Sequence, residues 1–161
     1  MHSVTFPVNI RKAKTSEAAL LTILAFSSKA YWGYDDGFME SCREELQISE
    51  EKILENSCFV AEHNAEIVGF YMLETIGPAK MELDMLFVDP KFIGKGLGKQ
   101  LFIHAIKIVE QQSFKEIIIQ ADPYAQPFYE KMGAILKGYI PSQSISNRNL
   151  PLMQYKLKAL S

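Results

Sequence analysis

The segment spanning residues 81–112 constrains the chain most. An apolar run, MELDMLFV (81–88), ends at Asp89-Pro90. Glycines follow at 94, 96 and 98, and GKQLFIHAIKIVEQQ (98–112) continues with helical periodicity. Leu97, Leu101, Ala105 and Ile108 fall near one stripe, which predicts an amphipathic helix with that stripe on a core. The apolar run reads as a strand, and Asp-Pro ends it. A helix N-terminus leaves N–H groups unpaired and carries the positive end of the macrodipole, and missing side chains let an anion approach closely. Lys91, Lys95 and Lys99 add positive charge. The stretch therefore reads as a phosphate cradle, with an ordinary strand-to-helix turn as the alternative.

Two familiar phosphate patterns do not fit. The P-loop pattern needs a Gly-Lys pair followed by Ser or Thr, which is absent. The dinucleotide pattern fails because Lys99 stands at the third glycine position counted from Gly94, and Leu101 does so from Gly96.

The rest of the chain supplies the frame. VNIRKA (8–13) alternates like a strand, and Thr15-Ser16 can cap a helix through EAALLTILAFSSKAY. Asp36 can cap a second helix, FMESCREELQ, and Ser49 a short third one. CFVAEH (58–63) and EIVGFYMLET (66–75) are strand-like with only Asn64-Ala65 between them, which predicts a hairpin. EIIIQA (116–121) is nearly all apolar, as in a sheet covered on both faces. Asp122 can cap a helix, PYAQPFYEKM, that stops at Gly133; AILKGYI and LMQYKLK (152–158) then read as closing strands. The order is strand, two or three helices, three strands, helix, strand, helix, two strands. It predicts one α+β domain, 1–161, around a mixed sheet.

Composition removes some classes. With 17 Lys+Arg against 19 Asp+Glu the net charge is -2, so no charge excess points to nucleic acid or an anionic membrane. No apolar run reaches the roughly 18 residues of a membrane span, and the start has no signal-type apolar region, so a cytoplasmic location is expected. Cys42 and Cys58 lack metal or CxxC spacing and read as small core residues in a reducing compartment; no metal is expected. His2, His63 and His104 are scattered and suggest no role.

Residues 93–98 resemble motif A of the GNAT superfamily of acetyl-CoA-dependent N-acetyltransferases. That motif runs Gln or Arg, two residues, Gly, one residue, then Gly or Ala. Gly96 and Gly98 take the small positions, and Ile93 stands where Gln or Arg is usual. A second match is DPYAQPFYEKMGA (122–134). Ala125, Tyr129 and Gly133 fit the family pattern, while Asp122 replaces an Asn and Ala134 a Phe. The resemblance implies a central, twisted, mixed but mostly antiparallel sheet of about six or seven strands flanked by about four or five helices. It implies acetyl-CoA as acetyl donor, with its pyrophosphate held by backbone N–H groups. The implied contacts are Leu86, Phe87, Val88, Ile93, Gly94, Lys95, Gly96, Leu97, Gly98, Lys99, Asp122, Ala125, Phe128 and Tyr129. It also implies a strand splayed from its neighbour to pair with pantetheine, and a homodimer formed through C-terminal strands.

Acetyl transfer to a primary amine makes three demands. The amine must lose a proton although free alkylamines have a pKa of about 10. A donor must meet the developing oxyanion, and the departing thiolate benefits from a proton. By resemblance Tyr129 is the acid; otherwise it is a core aromatic beside Phe128. Glu82 and Asp84 lie two apart on an apolar strand and so share a face, where desolvation would suit either to be the base. A water chain, or ordinary polar positions on a part-exposed strand, are the alternatives. The oxyanion donor is expected among the backbone N–H groups of 86–88. For the acceptor, Tyr31, Trp32 and Tyr34, with Asp35 and Asp36, offer cation–π and charge contacts to an amine. The loop 141–151, with Arg148, offers a site for an acidic acceptor group or a CoA phosphate instead. A helix-packing corner and a solvated loop are the plainer readings. An acyl-CoA-binding module without catalysis is the alternative to an enzyme acting on a small-molecule or peptide amine.

Overall fold

The computed structural model describes residues 5–158, so His2 lies outside the described residues. The strands are β1 (Asn9–Lys12), β2 (Ser57–His63), β3 (Glu66–Thr75), β4 (Lys80–Val88), β5 (Glu116–Gln120), β6 (Ile135–Pro141) and β7 (Asn149–Lys156). The helices are α1 (Ala18–Ala30), α2 (Asp36–Cys42), α3 (Glu50–Glu55), α4 (Leu97–Gln111) and α5 (Gln126–Lys131). The seven strands form one sheet in the order β1-β2-β3-β4-β5-β7-β6. Every neighbouring pair is antiparallel except β4–β5. Parallel neighbours need a crossover, and α4 supplies it. The β2–β3 hairpin turns on Asn64 and Ala65, at φ 51 and 65, the left-handed pair that a tight two-residue turn requires.

Each face of the sheet carries its own core. Tyr71, Leu83, Leu101, Phe102 and Ile117 belong to the core under α4 and α5. Leu21, Met39, Ile53, Phe70 and Met85 belong to the one under α1–α3. The central strand β3 is buried on seven consecutive residues because both faces are covered.

Two irregularities in β4 position the site. First, Met72 pairs with Met85 but Leu73 with Leu83, so Asp84 is an extra residue in the strand. The bulge reverses the alternation. Met81 and Leu83 point to the α4 core, yet beyond it Leu86 and Val88 do so while Met85 and Phe87 face α1. Second, β4 pairs with β5 only from Lys80–Glu116 to Glu82–Ile118. β5 stays paired with β7 to Gln120, so the two parallel strands part beyond Glu82.

Some local expectations are corrected. Asp35, not Asp36, caps α2, its carboxylate accepting from Phe38 N–H at 2.8 Å. Thr15 and Ser16 cap nothing; they form a 3-10 turn in which Glu17 accepts from Lys14 N–H at 2.7 Å. In α4 the buried stripe ends on Val109 rather than Ile108, which is only partly covered. β5 is not sealed on both faces: Ile117 and Ile119 are buried, while Ile118 is only partly covered.

Candidate active site

The parting of β4 and β5 opens a cleft of about 680 Å³. Residues 82–88 of β4 form one wall and residues 119–122 the other, with the start of α4 at one side. Leu86, Phe87 and Val88 therefore line it along an edge that no strand covers. Alternate backbone groups on such an edge are free to pair with a ligand.

The glycine stretch lies at the head of α4 for two different reasons. Gly94 and Gly96 have φ 85 and 78, and a Cβ on either would meet no atom within 4 Å. Their missing side chains permit the left-handed turn and leave the approach open. Gly98 is helical, and a Cβ there would come within 3.3 Å of the Phe128 ring. The first helical bond runs from Gln100 N–H to Gly96 O, so the N–H groups of residues 97–99 have no acceptor within the helix. Leu97 is buried and anchors this turn. Ile93, Gly94, Gly96, Leu97 and Gly98 all line the cleft. Lys95 and Lys99 do not; both are exposed to solvent beside it.

Ala125, Phe128 and Tyr129 reach the cleft from the far side. Tyr129 is 6% exposed and sits edge-on to Phe102 and Phe128, at 5.8 and 5.1 Å between ring centres. Among the described residues its hydroxyl has no hydrogen-bond partner, yet it is not a sealed, unsatisfied group, so it opens on the cleft. Burial pushes its pKa well above the ordinary tyrosine value, which keeps the phenol protonated.

Glu82 and Asp84 also line the cleft. Burial raises the pKa of Glu82, and the charges of Asp84 and of Glu74, its cross-strand neighbour, raise it further. Asp84 stands 3.6 Å from Lys52 of α3. Glu82 is thus the carboxylate held in an environment that favours taking up a proton. Both thiols lie in the core, where burial raises their pKa, to about 12 for Cys58.

The acceptor-side features meet around Asp122. Tyr34 donates to its two carboxylate oxygens at 2.9 and 2.8 Å, Lys29 donates at 3.1 Å, and Arg148 lies 3.4 Å away. Arg148 Nη2 also donates to Tyr34 Oη at 2.6 Å. Burial alone would raise the Asp122 pKa, but Lys29, the Tyr124 N–H and the Tyr34 hydroxyl outweigh it and hold it below the usual carboxylate value. Asp122 also caps the turn before α5 by accepting from Tyr124 N–H at 2.9 Å. Trp32 stacks on Tyr124 at 5.3 Å. Tyr31, Trp32, Lys29 and Arg148 line the cleft, whereas Tyr34 stands behind them and holds Asp122.

Sequence reasoning missed Lys29, Tyr124 and Glu45, all of which line the cleft. Lys29 lies in an unremarkable helical run, and its partner is 93 residues away, so no local pattern marks it. His104, given no role, accounts for itself structurally: its Nδ1 is 2.7 Å from the hydroxyl of the buried Tyr71. Among the described residues no helix is long and apolar enough to cross a membrane, and no three His, Cys, Asp or Glu side chains are grouped to hold a metal.

Comparisons with known proteins agree with this geometry. The family model described as Acetyltransferase (GNAT) domain matches residues 25–156. The Escherichia coli K12 protein named uncharacterized N-acetyltransferase YafP is 35% identical over 83 residues, 52% of this chain and 49% of the relative. A glucosamine 6-phosphate N-acetyltransferase of Trypanosoma brucei brucei is 33% identical over 57 residues, 35% of this chain and 39% of the relative. The chain thus spans half or less of the length of the curated relatives it matches. The crystal structure of PaiA N-acetyltransferase from Thermoplasma acidophilum, in complex with coenzyme A, superposes with a TM-score of 0.78 at 23% identity, covering 94% of this chain and 99% of that one. A GCN5-related N-acetyltransferase structure from Rhodopseudomonas palustris gives 0.79 at 20% identity, covering 98% and 100%. These likenesses bear on the fold; with the family match covering most of its length, the chain belongs to the GNAT acetyltransferase family.

Proposed function

We propose that the protein transfers the acetyl group of acetyl-CoA to a primary amine by direct attack, with donor and acceptor bound together. The observation that carries this reading is the parting of β4 from β5 beside the head of α4, with Tyr129 opening on the same gap. The chemistry of the donor set fits an acyl-CoA. Unpaired N–H groups at residues 97–99 suit a pyrophosphate, and the uncovered β4 edge suits the amides of pantetheine.

Each demand of the reaction then has a residue. Glu82, directly or through water, takes the proton from the acceptor ammonium; its raised pKa suits that role. Backbone N–H groups of residues 86–88, on the uncovered edge, face the oxyanion that forms as the amine adds to the thioester carbonyl. As the C–S bond breaks, Tyr129 gives its phenolic proton to the departing thiolate, and the second proton lost from nitrogen as the amide forms passes through water to restore the phenol. A cysteine relay is disfavoured because both thiols lie in the core away from the cleft lining.

The test is release of free CoA thiol from acetyl-CoA with a panel of polyamines, aminoglycosides, amino acids and peptide N-termini. Amine-dependent release with N-acetylated product is expected. Saturable acetyl-CoA binding without turnover for any amine would instead favour an acyl-CoA-binding module. The homodimer reading places the second copy on the edge strand β6, where Ile135 and Tyr139 are 63% and 62% exposed. Sedimentation of Tyr139→Lys beside the parent protein checks that edge, and an unchanged dimer would remove it.

A further inference from the structure

We infer that Arg148 and Lys29 form a subsite for an anionic group on the acceptor, so that the acceptor is an amine that also bears a carboxylate or phosphate. This rests on the acetyltransferase reading and specifies its substrate class. The cluster around Asp122 contains two cations and one carboxylate, leaving one positive charge in excess. All three side chains are largely shielded, with 11% of Lys29, 17% of Arg148 and 14% of Asp122 exposed. A charge so placed is screened less by salt than one on an open surface.

Arg148 has donors to spare. Its guanidinium carbon lies 4.8 Å from the centre of the Phe38 ring and 5.2 Å from that of Tyr34, beside the stacked pair. A guanidinium carries five N–H donors. Among the described residues only Nη2 has a protein partner, and no polar side-chain atom there is sealed away unpaired. Nε and Nη1 therefore remain accessible in a residue that lines the cleft. A planar fork with two of its nitrogens free suits two oxygens of one anion.

The rest of the cleft is complementary. Ile118, beside Glu82, and Asp122 are four residues apart, and strand alternation puts both on the α1 face. At a strand's rise the basic end is about 13 Å along the chain from the acidic end. Glu82 and Asp84 line the acidic end. An ammonium is drawn to one end and an anion to the other, which selects a molecule carrying both.

The test uses the full chain, acetyl-CoA and straight-chain amino acids from glycine to 6-aminohexanoate. Each is paired with its amide, and phosphoethanolamine is compared with ethanolamine. The unmodified protein should prefer the anionic member of a pair by roughly ten- to a hundredfold in kcat/KM, the scale of a charge-assisted hydrogen bond. In Arg148→Gln that ratio should collapse towards one, and Arg148→Lys should restore part of it. A structural tie alone would lower both members together, which overturns the inference. A rise in KM for acetyl-CoA, with the acceptor preference intact, assigns the cations to a CoA phosphate and also overturns it. Turnover of uncharged amines with no preference for anionic ones overturns the subsite while the acetyltransferase stands. If no amine is turned over, the acetyltransferase reading fails, and calorimetry of the same compounds into CoA-saturated protein judges the subsite alone. Binding weakened about tenfold or more in Arg148→Gln supports it, and absence of binding overturns it.

Discussion

The two halves of the cleft are made of different materials. At the half proposed for acetyl-CoA the groups available are backbone: N–H groups at the head of α4 and the uncovered edge of β4. At the half proposed for the acceptor they are side chains from distant segments. Lys29 and Tyr34 meet Asp122 across 93 and 88 residues, and Arg148 meets Tyr34 across 114. Backbone geometry depends on where glycines and strand ends fall, which tolerates many side-chain changes. A side-chain cluster depends on each member, so it can be rebuilt for a new acceptor without disturbing the cradle.

Substitutions can break or sharpen that contrast. The largest effect is expected of Tyr129→Phe, which removes the proposed acid: kcat should fall roughly a hundred- to ten-thousandfold with little change in CoA affinity. Stopped-flow thiol release and calorimetry measure the two, and an unchanged kcat removes Tyr129 from the mechanism. Next, Gly96→Val puts a β-branched residue at φ 78 and a side chain in the open approach. CoA affinity should fall by about a hundredfold, near the upper end of such backbone strain. Normal affinity would show that the cradle is not made of backbone at this position.

Glu82→Gln should slow turnover at least about tenfold at neutral pH, less than the usual base effect if water carries part of the proton transfer. A base works only when deprotonated, so the parent rate should fall with pH through a value above the ordinary glutamate pKa of about 4.3, and the variant should lack that limb. The stability sign is opposite. A pKa raised on folding gives stability that is present below the unfolded value and lost as pH rises through the folded one. Glu82→Gln should therefore melt higher than the parent at pH 7 and lose that advantage near about pH 4. A melting curve with no such crossover would contradict the burial argument. The smallest effect is expected of Asp122→Asn, about 1–3 kcal/mol from loss of charged partners. Its lowered pKa means the contribution is present above about 3.9 and disappears as pH falls through the folded value. Urea melts at neutral and acidic pH measure it; equal stability at neutral pH would mean that the cluster does not tie the acceptor half together.

The same contrast explains what could be read from the chain. Element order was legible because each element carries its own period and its own stop, as α4 and the Asn64-Ala65 hairpin show. The glycines were legible for the same local reason. The bulge at Asp84 was not, because an extra residue in a strand appears only in the register with its partner. Nor was the gap between β4 and β5, which is a relation between strands 36 positions apart in their pairing. Asp36 was the expected cap of α2, yet Asp35 fills that place, and only the turn geometry separates the two neighbours. Lys29 had no local mark at all, Arg148 was marked only as the cation of a polar loop, and the link between the aromatic corner and the 141–151 loop is Asp122, which belongs to neither.

Asp84 acts on β4 as a shift of reading frame. Upstream of it the strand presents Glu82 towards α1; downstream, Met85 and Phe87 take that side while Leu86 and Val88 turn to α4. Deleting Asp84 would restore regular pairing and leave every neighbour on its present side, because Leu83 and Met85 already face successive partners, Leu73 and Met72. What the extra residue adds is a bend and extra twist in β4 next to the point where it leaves β5, so its consequence is the direction of the strand and not the assignment of its side chains to the two cores.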